Sequence, residues 1–265
     1  MPEGDTVWRT AHHLHQALAG TELTVTDFRV PKFATVSLVG ETVDEVVARG
    51  KHILVRTPEH TVHSHLKMEG AWHLYRHGSR WIRPDYQARA VLETSGWQAV
   101  GFDLGIVQVL RRTEEDRAVG HLGPDLLGPD WDADEAVRRL AAQPDAEVIT
   151  ALIEQRNLAG LGNEYVNELC FLRGYHPQRR VADCDLPATV ALAHRLIHAN
   201  RDRVERTTTG DMRQGRRKWV YGREGRPCLR CGTRIRFTKL GRNELELRNT
   251  FWCPRCQPAV SPRPG

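Results

Sequence analysis

Cys228-Leu229-Arg230-Cys231 and Cys253-Pro254-Arg255-Cys256, separated by 21 residues, decide how the C-terminal end of this chain folds. Two Cys-x2-Cys pairs at such a spacing let four thiolates close a tetrahedral shell around one zinc ion. No coordination position stays open, so the site is structural. Between the pairs, residues 235–240 and 244–251 are expected to form a β-hairpin that turns at Gly241-Arg242-Asn243. So small a hairpin has little core of its own, and metal binding would be coupled to its folding. The competing reading, four buried or redox cysteines, is disfavoured by the paired spacing. Cys170 and Cys184 lie outside the pairs and read as small buried apolar residues.

The same end of the chain is basic. Residues 201–265 carry 17 Lys and Arg against 6 Asp and Glu, whereas the residues before them carry 21 against 27. A cationic third on a mildly acidic body points to a polyanion, although a solvated basic face gives the same count. The 265 residues, 40% apolar and 27% charged, suffice for one large or two small domains with a buried core. No apolar run has the length of a membrane span, and no secretory signal is visible. A cytoplasmic, nucleoid-associated location is therefore expected.

Upstream, two patterns follow each other. Residues 5–19 fit an amphipathic helix, with Val7, Ala11, Leu14 and Leu18 on one face and Gly20 as its stop. From 21 to about 112, short β-prone runs alternate with turns: 23–30, 35–39, 43–48, 52–57, 61–66, 71–75, 88–94, 97–102 and 105–110. This spacing predicts a sandwich or barrel. A Gly/Pro-rich connection comes next, followed by helical segments at about 133–142, 145–156, 163–171 and 187–206. Asn157-Leu158-Ala159-Gly160-Leu161-Gly162-Asn163 interrupts two of these. Its glycines permit close backbone approach, and the helix start at Asn163 offers free N–H groups to a phosphate.

The start of the chain carries chemistry of another kind. Once Met1 is removed, Pro2 is a secondary amine, with a reference pKa near 8 against roughly 10.4 for lysine. Condensed with an aldehydic sugar carbon, it gives an iminium with no N–H to lose, an electron sink for elimination. Glu3 beside it can move protons. Lys51, after Arg49-Gly50, is either a phosphate or catalytic lysine or a solvated strand-edge residue. Met68, on the turn after strand 61–66, is either core or an apolar wedge for the gap left by an extruded base. His63 and His65 read as strand residues.

Taken in order, these motifs resemble the formamidopyrimidine-DNA glycosylase / endonuclease VIII family over nearly the whole chain. Met1-Pro2-Glu3-Gly4 and Leu152 to Asn163 are similar to the endonuclease VIII branch, Arg49-Gly50-Lys51 to the lysine-bearing segment, and Arg248-Asn249-Thr250-Phe251-Trp252-Cys253 to the finger hairpin. The resemblance implies an α+β multidomain fold. Residues 1–115 would be an N-terminal catalytic β-sandwich with a leading helix, and 116–132 a linker. Residues 133–218 would form a helix–two-turn–helix domain, 219–258 a four-cysteine zinc finger and 259–265 a disordered tail. Damaged DNA, duplex or single-stranded, would lie between the domains of a monomer.

The resemblance also implies roles. Pro2 would be the nucleophile, Glu3 the proton donor to the deoxyribose, and Lys51 a catalytic and phosphate-binding residue. Asn163 and Arg248 would grip phosphates flanking the flipped nucleotide, and Met68 would fill the void. Cys228, Cys231, Cys253 and Cys256 would bind one structural zinc. The activity implied is a bifunctional DNA glycosylase and AP lyase of base excision repair that ends in β,δ-elimination.

Four departures bear on specificity. Thr6 stands where many relatives have a second glutamate. Glu69 follows Met68 where the endonuclease VIII branch has an aromatic. Phe102–Arg112 lacks the Arg-Phe loop placed against an orphan cytosine, which favours oxidised pyrimidines. The cysteine pairs are farther apart than usual, so Arg242 competes with Arg248. The alternatives are an oxidised-purine glycosylase and a catalytically impaired zinc-finger protein that binds damaged DNA.

Overall fold

The computed structural model describes residues 2–259. The chain divides into two compact units at His121/Leu122. That division falls inside the Gly/Pro-rich segment 116–132, of which Leu122, Asp125 and Leu126 are buried. The tail expected at 259–265 lies, from residue 260 on, outside the described residues.

The first unit opens with helix α1, Gly4–Leu18, whose buried face is Val7, Ala11, Leu14 and Leu18. Eight strands follow: β1 Val25–Phe28, β2 Glu45–Arg49, β3 His52–Arg56, β4 His60–His65, β5 Ala71–Tyr75, β6 Ala88–Glu93, β7 Gln98–Phe102 and β8 Ile106–Arg111. They make two antiparallel four-stranded sheets, ordered β1-β6-β7-β5 and β2-β3-β4-β8. Alternation does the sorting: Ile53, Val55 and Val62 from one sheet meet Ala90, Leu92, Ala99 and Trp72 from the other, and α1 closes the same core. The opposite face of the second sheet is polar but not open. Arg56 and Thr61 donate to Glu115, just ahead of the short helix α2, Asp116–Val119.

Residues 35–39 do not form the expected strand. Pro31–Phe33 is a 3-10 turn, and Leu38 is buried with its N–H on the Thr26 hydroxyl at 3.1 Å. A side chain takes the place of a ladder partner.

In the second unit, helices α3 Ala133–Ala141, α4 Val148–Ile153, α5 Asn163–Arg173 and α6 Leu186–Asn200 surround a core that includes Leu140, Leu152, Tyr165, Leu169 and Ile197. Two helices are shorter than the apolar pattern predicts, and an amide explains each. After α4, Gln155 donates to the carbonyls of Ile153 (2.7 Å) and Leu161 (2.9 Å) and accepts from Gly160 N–H (3.1 Å). At the end of α6, Asn200 accepts from Thr207 N–H at 2.8 Å and donates to its carbonyl at 2.9 Å. Helix α5 stops at Gly174, which takes a left-handed φ of +70°. Beyond α6, strands β9 Arg236–Leu240 and β10 Arg248–Trp252 form the expected hairpin, with a short 3-10 turn, Glu244–Glu246, at its tip.

The segment between α6 and the hairpin has no regular structure and hangs on one carboxylate. Glu168, fully buried on α5, accepts the successive N–H groups of Trp219 (2.7 Å), Val220 (2.9 Å) and Tyr221 (2.8 Å), together with the Thr208 hydroxyl. Burial pushes this carboxyl above its ordinary range, and the four donors oppose that. Removing the acceptor would leave buried donors unpaired. Glu168→Ala is therefore expected to destabilise the protein by about 3 kcal/mol in urea denaturation. A loss well below about 1 kcal/mol would mean that water replaces the carboxylate.

Candidate functional site

In the first unit, Glu3 is the N-cap of α1 and is wholly buried, directly behind Pro2. Its carbonyl accepts the first helical hydrogen bond, from Val7 N–H at 3.0 Å. A carboxylate here lies at the positive end of the helix dipole, next to residue 2. An amine at residue 2 with this carboxyl beside it can do nucleophilic and proton-transfer chemistry. Thr6 contributes no carboxylate; its N–H donates to Asp5 Oδ1 at 2.7 Å.

Lys51 sits with Gly50 in the two-residue turn joining β2 to β3, which is closed by the pair Arg49–His52. Gly50 has φ +57°, as the first central residue of such a turn requires. Next to Lys51 lies a network that sequence reading missed. His52 Nδ1 and His63 Nε2 are 2.7 Å apart, and His63 Nδ1 is 3.2 Å from Gln108 Oε1. His65 Nδ1 accepts the Lys67 N–H at 2.9 Å, and its ring meets His52 edge-on. Burial first, then neighbouring rings and Lys67, lowers His52 to about 3. Burial, then Lys67 and Lys51, lowers His65 to about 4. These imidazoles are neutral at physiological pH, so the lysines supply the positive charge there. Only cross-strand register brings these histidines together, and a linear sequence holds no signal of it.

Met68 is 61% exposed, which excludes the core reading for it. It stands on a tight turn: Lys67 has φ +54°, and a Cβ on Gly70 would come within 2.4 Å of the Leu66 carbonyl oxygen. The β7–β8 connection runs only from Asp103 to Gly105.

In the second unit, Asn163 begins α5 and donates from Nδ2 to the Asn249 carbonyl at 2.8 Å. Asn167, one turn later, accepts Phe251 N–H at 2.6 Å and donates to the Asn163 carbonyl at 2.7 Å. Sequence reading missed Asn167, although its spacing of four from Asn163 puts both amides on one helix face. The pair fastens β10 to the helix start. Asn163, Arg242 and Arg248 thereby line one cavity of about 160 Å³, with Thr150, Ile153 and Glu154. The two arginines differ in commitment. Arg242 is ion-paired to Glu154 (2.7 Å) and Glu246 (2.9 Å), whereas Arg248 has no ion pair among the described residues.

Cys228, Cys231, Cys253 and Cys256 place their sulfurs within 4.8 Å of one another. Two of the separations are 3.4 Å (Cys231–Cys253) and 4.0 Å (Cys228–Cys256). A tetrahedral ion at about 2.3 Å from each sulfur needs edges of about 3.8 Å, so the quartet fits a metal ion. Hydrogen bonds from Thr233 pull the Cys231 thiol down to about 6. Burial pushes Cys170 well above, and Cys184 up to about 11, as inert thiols require.

Family models match both units. One described as the formamidopyrimidine-DNA glycosylase N-terminal domain covers residues 1–104, and one described as that enzyme's H2TH domain covers 122–212. The chain is 53% identical, over 100% of its own length and 97% of the relative's, to a probable endonuclease 8 2 of Streptomyces coelicolor. It is 50% identical, over 98% and 100%, to the DNA-(apurinic or apyrimidinic site) lyase Nei2 of Mycolicibacterium smegmatis. The fold is similar to that of Lactococcus lactis formamidopyrimidine-DNA glycosylase bound non-covalently to DNA containing an AP site. The TM-score is 0.79 at 21% identity, with 97% of this chain and 100% of that one covered.

The histidine network makes acid stability predictable. The folded pKa values of His52 and His65 lie below the unfolded value of about 6.5, so the unfolded chain binds more protons as pH falls. Their contribution is complete above about pH 6.5 and is lost progressively toward pH 4, at up to about 1.4 kcal/mol per pH unit for each ring. His52→Gln should flatten the dependence of urea stability on pH between 7 and 5. An unchanged slope would show that His52 is not held neutral.

Proposed function

Because this chain belongs to the formamidopyrimidine-DNA glycosylase / endonuclease VIII family, we propose that its bifunctional DNA glycosylase and AP lyase activity in base excision repair runs through Pro2. The substrate is damaged DNA. With Met1 removed, the Pro2 nitrogen attacks C1′ of the flipped nucleotide and displaces the base, which takes up the proton that the nitrogen loses. Glu3 delivers a proton to the ring oxygen as the sugar opens, leaving an iminium on the Pro2 nitrogen. Loss of the proton from C2′ expels the 3′-phosphate, and a second elimination expels the 5′-phosphate. The observation that carries this reading is Glu3, buried at the N-cap of α1 immediately behind Pro2.

The other residues serve this step. Lys51, on a rigid turn among uncharged imidazoles, binds phosphate. Asn163 and Arg248 grip the phosphates beside the lesion; the ion pairs of Arg242 favour Arg248 over it for that role. Met68 fills the space of the extruded base. The short β7–β8 connection leaves no room for a loop against an orphan base, and this supports oxidised pyrimidines as the preferred lesions. Flipping costs a few kcal/mol, least for damaged or unpaired bases. The metal fitting the four cysteines is zinc, which supplies only a structural cross-link. No helix among the described residues is long and apolar enough to cross a membrane, and we place the enzyme as a monomer in the cytoplasm, with the nucleoid.

Borohydride trapping on an abasic oligonucleotide tests the nucleophile. A covalent adduct mapping to residue 2 is expected, and it should disappear in Pro2→Gly. Glu3→Gln should slow base release by about a hundredfold or more while duplex binding persists. An adduct on a lysine, or none at all, would reject Pro2.

Chelation tests the metal. Stripping it should abolish hydrogen-exchange protection of β9 and β10 and weaken DNA binding, while the sandwich amides keep theirs. Cys253→Ser should do the same without chelator. Full protection of the hairpin in metal-free protein would reject a structural ion.

A further inference from the structure

Outside the cavity that holds Asn163 and Arg248, the second unit has another concavity, of about 560 Å³, which shares no lining residue with it. Gln214, Arg217, Lys218, Tyr221, Arg223 and Arg226 line it together with two glycines, and no Asp or Glu does. Its cations fall into two groups. Arg217 and Lys218 are answered by carboxylates, through Glu205 at 2.5 Å and Glu164 at 2.6 Å. Arg223 and Arg226 have no ion pair among the described residues.

Arg223 is the unusual one. It is buried, at 7% exposure, and its guanidinium is fixed by the carbonyls of Gly215 (2.6 Å) and Pro227 (2.9 Å). Its Nε–H has no hydrogen-bond partner among the described residues. Burial, and then Arg226, lowers its pKa from the ordinary value. A buried donor without an acceptor in a concavity of unbalanced positive charge is costly unless an anion supplies both acceptor and charge. Fixed guanidinium groups match phosphate oxygens in charge and in hydrogen-bond geometry.

We propose that this concavity is a second phosphate-binding site, in which Arg223 and Arg226 hold a backbone phosphodiester of the DNA, distinct from the Asn163/Arg248 grip. The inference rests on the reading of the chain as a DNA-processing enzyme. It gives part of the basic C-terminal third a defined place of contact instead of a diffuse charge.

Salt dependence reads such a contact directly. Arg226 is exposed, so Arg226→Gln and Arg226→Glu keep the fold, while Arg223 is left intact. Affinity for a duplex carrying a stable abasic-site analogue is measured from roughly 50 to 200 mM salt. For Arg226→Gln the slope of log affinity against log salt should shrink by about one, with roughly fivefold weaker binding at about 100 mM, and Arg226→Glu should weaken binding further. Arg138→Gln removes one charge from an exposed position on α3 and should leave the slope at its wild-type value. Wild-type slopes in both Arg226 variants would overturn this site while leaving the enzyme reading intact. A wild-type protein that neither binds nor nicks abasic DNA would overturn that reading itself.

Discussion

Two amides one helical turn apart hold the hairpin of the second unit to the start of α5. Asn163 and Asn167 bind the backbone of β10 at Asn249 and Phe251, on either side of Thr250. These bonds bring a hairpin from the end of the chain against the start of α5. Without them, Arg248 and Asn163 would belong to separate surfaces, because the hairpin has only a small apolar cluster of its own. The amide clamp and the cysteine quartet therefore act in series. The quartet fixes the base of the hairpin, and the amides fix where its second strand lies. A neutral amide suits this task better than a carboxylate, because it donates and accepts at once.

The two fully buried glutamates show how differently one side chain can be used. Glu168 meets four donors, three of them successive backbone N–H groups, and its energy is spent on shaping residues 208–221. Glu3 instead lies at a helix N-cap, next to residue 2, where the helix begins. The two side chains are equally buried, so burial alone does not tell what each of them does.

What the sequence made legible was whatever is written contiguously or at fixed spacing. The helix 4–18, the run of short strands, the two cysteine pairs and the hairpin between them follow from periodicity, turn residues and metal-ligand spacing. Features set by tertiary partners were not legible. The 35–39 run is apolar enough for a strand, but Leu38 is satisfied by Thr26. Helix α4 ends early because the amide of Gln155 takes the Ile153 carbonyl. His52 and Gln108 meet His63 from neighbouring strands, across 11 and 45 residues of sequence. Spacing could not tell Arg242 from Arg248 either: the ion pair of Arg242 with Glu154, a residue from the other end of the domain, is announced by no local pattern.

A common electrostatic rule links the two units. A surface that binds phosphates needs cations whose charge is not cancelled at home, yet an unpaired cation repels its neighbours and loses favourable hydration when half-buried. This chain uses two solutions. Around Lys51 and Lys67 the neighbours include imidazoles, polar enough to hydrogen-bond and too deeply buried to protonate, which add no positive charge beside the lysines. Around Arg223 the backbone does the same work, since carbonyls of Gly215 and Pro227 orient the guanidinium without neutralising it. Arg242 follows the opposite course, with two carboxylates that tie it to the end of α4 and make it a strut for the hairpin tip. The distinction between a binding arginine and a structural one thus rests on whether its partners are dipoles or charges. By that criterion Arg223, held by carbonyls, belongs with the first kind.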